Sequence, residues 1–165
     1  EDSMGLALPL ALGLAVGQPG RKVVGVEGDG GLLMHLGALI TVGAVAPGNL
    51  TVLLINNRVH AGSGGQPLTN QNLDLADLAR SAGWARTENV GDPEGFRTAF
   101  RSALQGDGPS FLALESKPDV QVVVPPDPLN PVVTKQRFME AIGAPRYVPS
   151  TFGQGRMVEP PPPSS

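Results

Sequence analysis

Thirty consecutive residues, Gly28 to Asn57, constrain this chain more than any other part of it. They open with Gly28-Asp29-Gly30, directly after the apolar run Val23 to Val26, and close with Asn56-Asn57, directly after the apolar run Leu50 to Ile55. Short apolar runs bounded by turn residues read as buried strands, and the segment between them is long enough for one helix. The unit is therefore strand, turn, helix, strand: a right-handed βαβ element of a parallel sheet. Ligands of such sheets sit outside the carboxyl ends of the strands. Asp29 and Asn57, 28 positions apart, occupy two such ends and are expected to be neighbours in space. A carboxylate and a carboxamide oxygen beside a Gly-rich helix start suit Mg²⁺, a hard cation that shares its shell with a bound phosphate. The helix start offers free N–H groups to that phosphate.

GDG followed about thirty residues later by NN, in this strand–helix–strand setting, resembles the signature of thiamine-diphosphate enzymes. A pair of ligand-free turns would use the same residue types, but it explains neither the spacing nor the further matches. The opening Ser3-Met4-Gly5-Leu6-Ala7 is similar to the family segment that lies upstream of GDG. The resemblance implies that Met4 props the cofactor into its bent shape and that Ser3 lies beside it. Taken without the family, Met4 is a gap-filling core methionine. The family usually shows Gly where this chain has Asp2, a main-chain contact that can survive the change.

After Asn57 comes Arg58-Val59-His60-Ala61-Gly62-Ser63-Gly64-Gly65-Gln66-Pro67, a Gly-rich loop suited to backbone approach to a ligand. The resemblance implies a Mg²⁺ shell of Asp29, Asn57 and the main-chain carbonyl of Val59, with Gly28, Gly30, Gly31 and Ala61 contacting the cofactor. The GGQP stretch, the G-x-L-M-H-L-G-A-L segment and the late R-F-M-E-A-I narrow the likeness to sulfopyruvate and phosphonopyruvate decarboxylases. His60 and Ser63 are expected to face the substrate, with an ordinary polar turn as the alternative. Arg58 is the nearest candidate for a cationic clamp on a doubly charged 2-oxo acid. The implied activity is thiamine-diphosphate- and Mg²⁺-dependent decarboxylation of such an acid. Two other readings stand beside it: half of a carboligating, acetolactate-synthase-like enzyme, and a non-catalytic α/β binding module.

The expected fold is α/β, a parallel sheet with helices on both faces. Further elements are a helix over 6–16 ending near Gly17, a single helix over 31–46, helices over 73–82, 93–104 and 134–142, and strands over 85–88 and 110–115. Pro93 follows the cap residue Asp92, and the 31–46 helix, apolar on nearly every side, is expected to be buried. His35 within it is expected to be a packed histidine. Trp84 is expected to be a packed indole, and Asp74 and Asp77 to lie on a solvated face.

The cofactor domain is placed at residues 1–143, without the first strand and helix of a complete diphosphate-binding domain, and a Pro-rich extended tail at 144–165. The family sets its cofactor between two domain types, and only the diphosphate-binding one is visible here. The resemblance therefore implies a β-type subunit whose active site is completed by a pyrimidine-binding-domain, α-type partner. A net charge of −3 without a basic cluster argues against nucleic-acid or membrane partners. With no cysteine there is no disulfide or thiolate chemistry to place. A cytoplasmic location is expected.

Overall fold

The computed structural model describes residues 4–118, 130–144, 146–148 and 156–158. They fall in two compact units, Glu1–Val122 and Val123–Ser165. The first unit carries helix α1 (Ala7–Gly17), strand β1 (Val23–Gly28), helices α2 (Asp29–Met34) and α3 (Gly37–Val45), and strand β2 (Leu50–Asn56). Two-residue strands β3 (Val59–His60) and β4 (Gln66–Pro67) follow, joined through a 3₁₀ turn at Ala61–Ser63. Helix α4 (Leu75–Ser81), strand β5 (Arg86–Val90), helix α5 (Pro93–Gln105) and strand β6 (Ser110–Glu115) complete it.

The four long strands form one parallel sheet in the order β1-β2-β6-β5. Helices cover both faces. On one side α1 to α4 pack over Leu50, Val52, Leu54, Phe111 and Ala113. On the other, α5 lays Ala99 and Ala103 on Val90 and Leu112, with Leu53 and Leu114 at the margin. The central strands β2 and β6 are predominantly apolar because both of their faces are covered. Strand β1 was expected to be buried, and it is not. It is the sheet edge, α5 does not reach it, and Val24 and Val26 remain 41% and 57% exposed.

Local signals set most element ends. Asp74 accepts from the N–H of Asp77 and so caps α4. Asp92 accepts from the N–H groups of Glu94 and Gly95 ahead of Pro93 in the first turn of α5. Trp84 is the packed indole the sequence implies: its Nε1–H donates to the Leu39 carbonyl at 2.9 Å, and its ring meets Phe111 edge-on at 5.3 Å.

The single helix expected over 31–46 is two. It starts earlier, at Asp29, and breaks at His35-Leu36 between α2 and α3. The break leaves His35 exposed rather than packed. Its outer side chains are also uncovered, with Met34 and Ile40 both 64% exposed. At the other end of the sheet, Asn49 Nδ2 donates to the carbonyls of Ala15, Gln18 and Arg21, tying the end of α1 to the start of β2.

The second unit holds helix α6 (Pro131–Ala141), capped by Asn130 through the N–H of Val132, and the antiparallel pair β7 (Arg146–Val148) and β8 (Arg156–Val158). Most of the Pro-rich tail expected at 144–165 lies outside the described residues. So does Ser3. Among the described residues no helix is long and apolar enough to cross a membrane.

Candidate cofactor site at the carboxyl ends of β1 and β2

The register of β1 on β2 pairs Gly28 with Ile55, so the GDG turn and the NN pair emerge side by side at the same end of the sheet. Asp29 is the first residue of α2, and its side chain is 1% exposed. Oδ1 accepts from the Gly30 N–H at 2.7 Å, and Oδ2 accepts from the Arg58 N–H at 2.5 Å. The Asp29 carboxylate thus joins the helix start after β1 to the chain directly after Asn57. Among the described residues, no Lys, Arg or His forms an ion pair with it. It is therefore a buried carboxylate held by backbone N–H groups, with no ion-pair partner among the described residues.

Asn57 is half-buried, and its Oδ1 accepts from the Val59 N–H at 3.1 Å, closing a tight turn. Arg58, between them, adopts the left-handed conformation with φ +62°. This backbone state is uncommon for a residue with a side chain. It lets the chain turn on into β3 while the Arg58 N–H faces Asp29.

Two glycines make room for the rest. A Cβ on Gly30 would lie 2.5 Å from His60 Nδ1, so the imidazole sits directly on the Gly30 backbone. Gly31 faces the Glu27 carboxylate, which also accepts from the N–H groups of Gly28 and Ala7. Glu27 therefore ties the start of α1 to the GDG turn. Gly5, with φ +81°, packs its bare Cα against the Gly31 carbonyl and His35; a Cβ there would lie 2.9 Å from that oxygen. This contact brings Met4, 41% exposed, to the same corner.

The structure thus gathers Met4, Gly28, Asp29, Gly30, Gly31, Asn57, Val59 and His60 at one end of the sheet. Ala61 and Ser63 lie further out, in the 3₁₀ turn. The exposed Ser63 hydroxyl stays within that turn, 3.3 Å from Gln66 Oε1 and 3.4 Å from the His60 carbonyl oxygen. The Arg58 guanidinium, expected as a clamp for substrate, is committed elsewhere. It donates to the Gln71 carbonyl at 2.8 Å and pairs with Glu115 at 3.0 Å.

Sequence reasoning missed Glu27, Asn56 and Glu115. Asn56, buried at the end of β2, donates to Glu115 Oε1 at 2.6 Å. A polar residue ending a parallel strand is the signal that singled out Asn57, and it applied equally to Glu115 at the end of β6. Beside this group runs a polar cleft lined by Asn56, Arg58, Asp74, Asn89 and Glu115. The Asp74 carboxyl there is held below its usual range, first by the Asp77 N–H and then by the Asn89 amide.

The donor set fits a divalent cation with a phosphate ligand. It offers one buried carboxylate, one carboxamide and main-chain groups next to a glycine cradle. Among the described residues there is no cluster of three His, Asp or Glu side chains that could hold a metal alone. A cation here would complete its shell with phosphate and water oxygens, as Mg²⁺ commonly does.

A parallel α/β sheet that ends in this arrangement defines a diphosphate-binding domain. Residues 2–114 match the family of thiamine pyrophosphate enzymes, C-terminal TPP binding domain, and the chain belongs to that family. It is 37% identical to the phosphonopyruvate decarboxylase of Streptomyces hygroscopicus, over 93% of this chain and 38% of that protein. It is 40% identical to the sulfopyruvate decarboxylase subunit beta of Methanothermobacter thermautotrophicus, over 73% of this chain and 64% of that subunit. The chain therefore spans less than two thirds of the length of either relative. Among solved structures, benzoylformate decarboxylase from Polynucleobacter necessarius shares the fold, with a TM-score of 0.63 at 22% identity over 72% of this chain and 24% of that one.

Proposed function

We propose that this chain is the Mg²⁺- and diphosphate-binding subunit of a thiamine-diphosphate-dependent 2-oxo acid decarboxylase of the sulfopyruvate or phosphonopyruvate type. One observation carries the reading: the Asp29 carboxylate, buried with no ion-pair partner among the described residues, stands where β1 and β2 deliver it beside Asn57. In this proposal Asp29, Asn57 and the Val59 carbonyl hold Mg²⁺. The main chain at Gly28, Gly30, Gly31 and Ala61, with Ser3, lines the cofactor, and Met4 supports it. When bound, thiamine diphosphate supplies the electron sink that lets a 2-oxo acid lose carbon dioxide.

The protein's own part is to bind, orient and exclude water. His60, with its imidazole against Gly30, and Ser63, at the loop tip, are the side chains assigned to face the substrate. The cofactor domain extends to residue 143 in this reading, with 144–165 as an appended arm. A pyrimidine-binding-domain partner, α-type, completes the site, as the name of the subunit beta relative supports. A cytoplasmic location, with no nucleic-acid or membrane partner, belongs to the same proposal and accords with the net charge of −3.

The test is calorimetric titration of thiamine diphosphate, with and without Mg²⁺, on the wild-type chain and on Asp29→Asn, each reconstituted with the pyrimidine-binding partner. Wild type is expected to bind only with Mg²⁺. The variant keeps the shape of the side chain and loses the charge, so Mg²⁺-dependent affinity should fall at least about a hundredfold, more than loss of a metal's supporting contact costs. Equal affinity in the two proteins would overturn the assigned site. On the reconstituted pair, product analysis with sulfopyruvate, phosphonopyruvate and pyruvate separates simple decarboxylation from carboligation.

A further inference from the structure

Four residues far apart in sequence hold the loop after Asn57 in its unusual backbone conformation. Glu115, the last residue of β6, accepts from Asn56 Nδ2 at 2.6 Å through one oxygen and from Arg58 Nη2 at 3.0 Å through the other. The second Arg58 nitrogen, Nη1, donates to the Gln71 carbonyl at 2.8 Å. Gln71 returns the contact by donating from Nε2 to the Arg58 carbonyl at 3.1 Å, and the Leu68 N–H donates to that same oxygen at 2.9 Å. Arg58 is therefore fixed at its guanidinium and at its carbonyl.

What these contacts hold is costly by itself. A non-glycine residue at φ +62° is strained by about 1 kcal/mol or more and persists only where its surroundings over-determine it. In that conformation the Arg58 N–H reaches Asp29 Oδ2 at 2.5 Å, and Val59 begins β3. Relaxing Arg58 to an ordinary helical or extended conformation would redirect the chain beyond its nitrogen, so the N–H contact with Asp29 and the contacts of its carbonyl and guanidinium could not all be kept. It would also change the direction of the peptide that carries the Val59 carbonyl.

We propose that Glu115 is a positioning residue for the metal and diphosphate site, acting through Asn56 and Arg58 to lock the loop that orients Asp29 and the Val59 carbonyl. Glu115 itself lies off the site, in the polar cleft on the far side of β2. Its carboxylate is matched to two donors on two residues, one on each side of Asn57. An amide in its place accepts from one and presents N–H to the other. The inference rests on the proposed cofactor reading for its chemical consequence, but the lock is a property of the chain alone.

The experiment has two arms, run on the full chain as wild type, Glu115→Gln and Glu115→Ala. The first follows amide proton exchange by NMR, with urea denaturation read from Trp84 fluorescence as a control. In Glu115→Gln the Arg58 amide is expected to lose protection at least tenfold, and its downfield position as a carboxylate-bonded proton, with the midpoint of denaturation unchanged. Glu115→Ala is expected to go further in the same direction. An Arg58 amide as protected as in wild type overturns the lock. So does a general loss of protection with a lowered midpoint, which marks Glu115 as merely structural.

The second arm titrates Mg²⁺ at fixed thiamine diphosphate. Glu115→Gln is expected to weaken Mg²⁺ about 10- to 100-fold, the range for partners that orient metal ligands. Unchanged Mg²⁺ affinity overturns the positioning role. If wild type takes up no cofactor even with a pyrimidine-binding partner subunit supplied, the cofactor reading fails, and the exchange arm still decides the lock.

Discussion

Gly43, in the last turn of α3, tests how closely α3 approaches the end of α4. Two opposite effects bear on a Gly43→Ala substitution. Glycine inside a helix is less stable than alanine by about 0.5–1 kcal/mol, so propensity alone predicts a more stable protein. The tertiary contact predicts the reverse. A Cβ on Gly43 would lie 2.7 Å from the Ala82 carbonyl carbon and 3.4 Å from the Gly83 nitrogen, with the Ala82 carbonyl oxygen closer still. These are backbone atoms and cannot rotate away. Ala82 follows α4 as its C-cap, and Trp84 two residues on is tied to the Leu39 carbonyl of α3, so separating the helices strains that bond as well.

Overpacking of this kind costs about 1–3 kcal/mol, and a rigid obstacle belongs at the upper end of that range. With the helix gain subtracted, the net loss is about 2 kcal/mol. For a slope of about 2 kcal/mol per molar urea, the midpoint falls by about 1 M. Trp84 fluorescence reports the transition at the contact itself. The control is Gly13→Ala in α1, where a Cβ meets nothing within 4 Å and only the helix gain of up to about 1 kcal/mol should appear. If Gly43→Ala matches or exceeds wild type in stability, the close approach of α3 to the end of α4 is wrong.

Two other substitutions read the site and the acid limb of stability. Gly30→Ala places a Cβ 2.5 Å from His60 Nδ1. Because a half-buried imidazole can turn aside, stability should change by no more than about 1 kcal/mol, while the His60 ring resonances shift; unmoved resonances would refute the packing of His60 on Gly30. For Asp74, the Asp77 N–H and the Asn89 amide hold the folded-state pKa below the ordinary aspartate value. Its contribution to stability is therefore fully present above the unfolded-state value and is lost as pH falls through the lowered folded one. Asp74→Asn should accordingly flatten the loss of stability below about pH 4 relative to wild type; an identical pH profile would show that the Asp77 N–H and Asn89 contacts do not hold the carboxyl down.

The sequence by itself determined the elements and the chemistry offered at their ends. The apolar run Leu50 to Ile55, the cap Asp92, and the GDG and NN turns act over a few residues, so composition and spacing declare them, whereas the caps Asp74 and Asn130 went unread. Strand β6 was legible to the residue for the same reason. The ordering of the sheet was not: nothing local says that β6 inserts between β2 and β5, since that choice depends on helices packing across more than fifty residues. The edge position of β1, which leaves Val24 and Val26 uncovered, follows from the same choice.

The break at His35-Leu36 was also hidden, because His35 and Gly37 are both tolerated inside a helix and neither dictates a stop. It is the tertiary contact of Gly5 with Gly31 and His35 that marks the place. The candidate site divides the same way. Asp29 and Asn57 were legible as strand-end donors. The left-handed Arg58 and its grip by Glu115, on a strand 57 residues further along the chain, exist only once the sheet has assembled. Short-range preferences name the groups that can bind. Long-range packing fixes where those groups point.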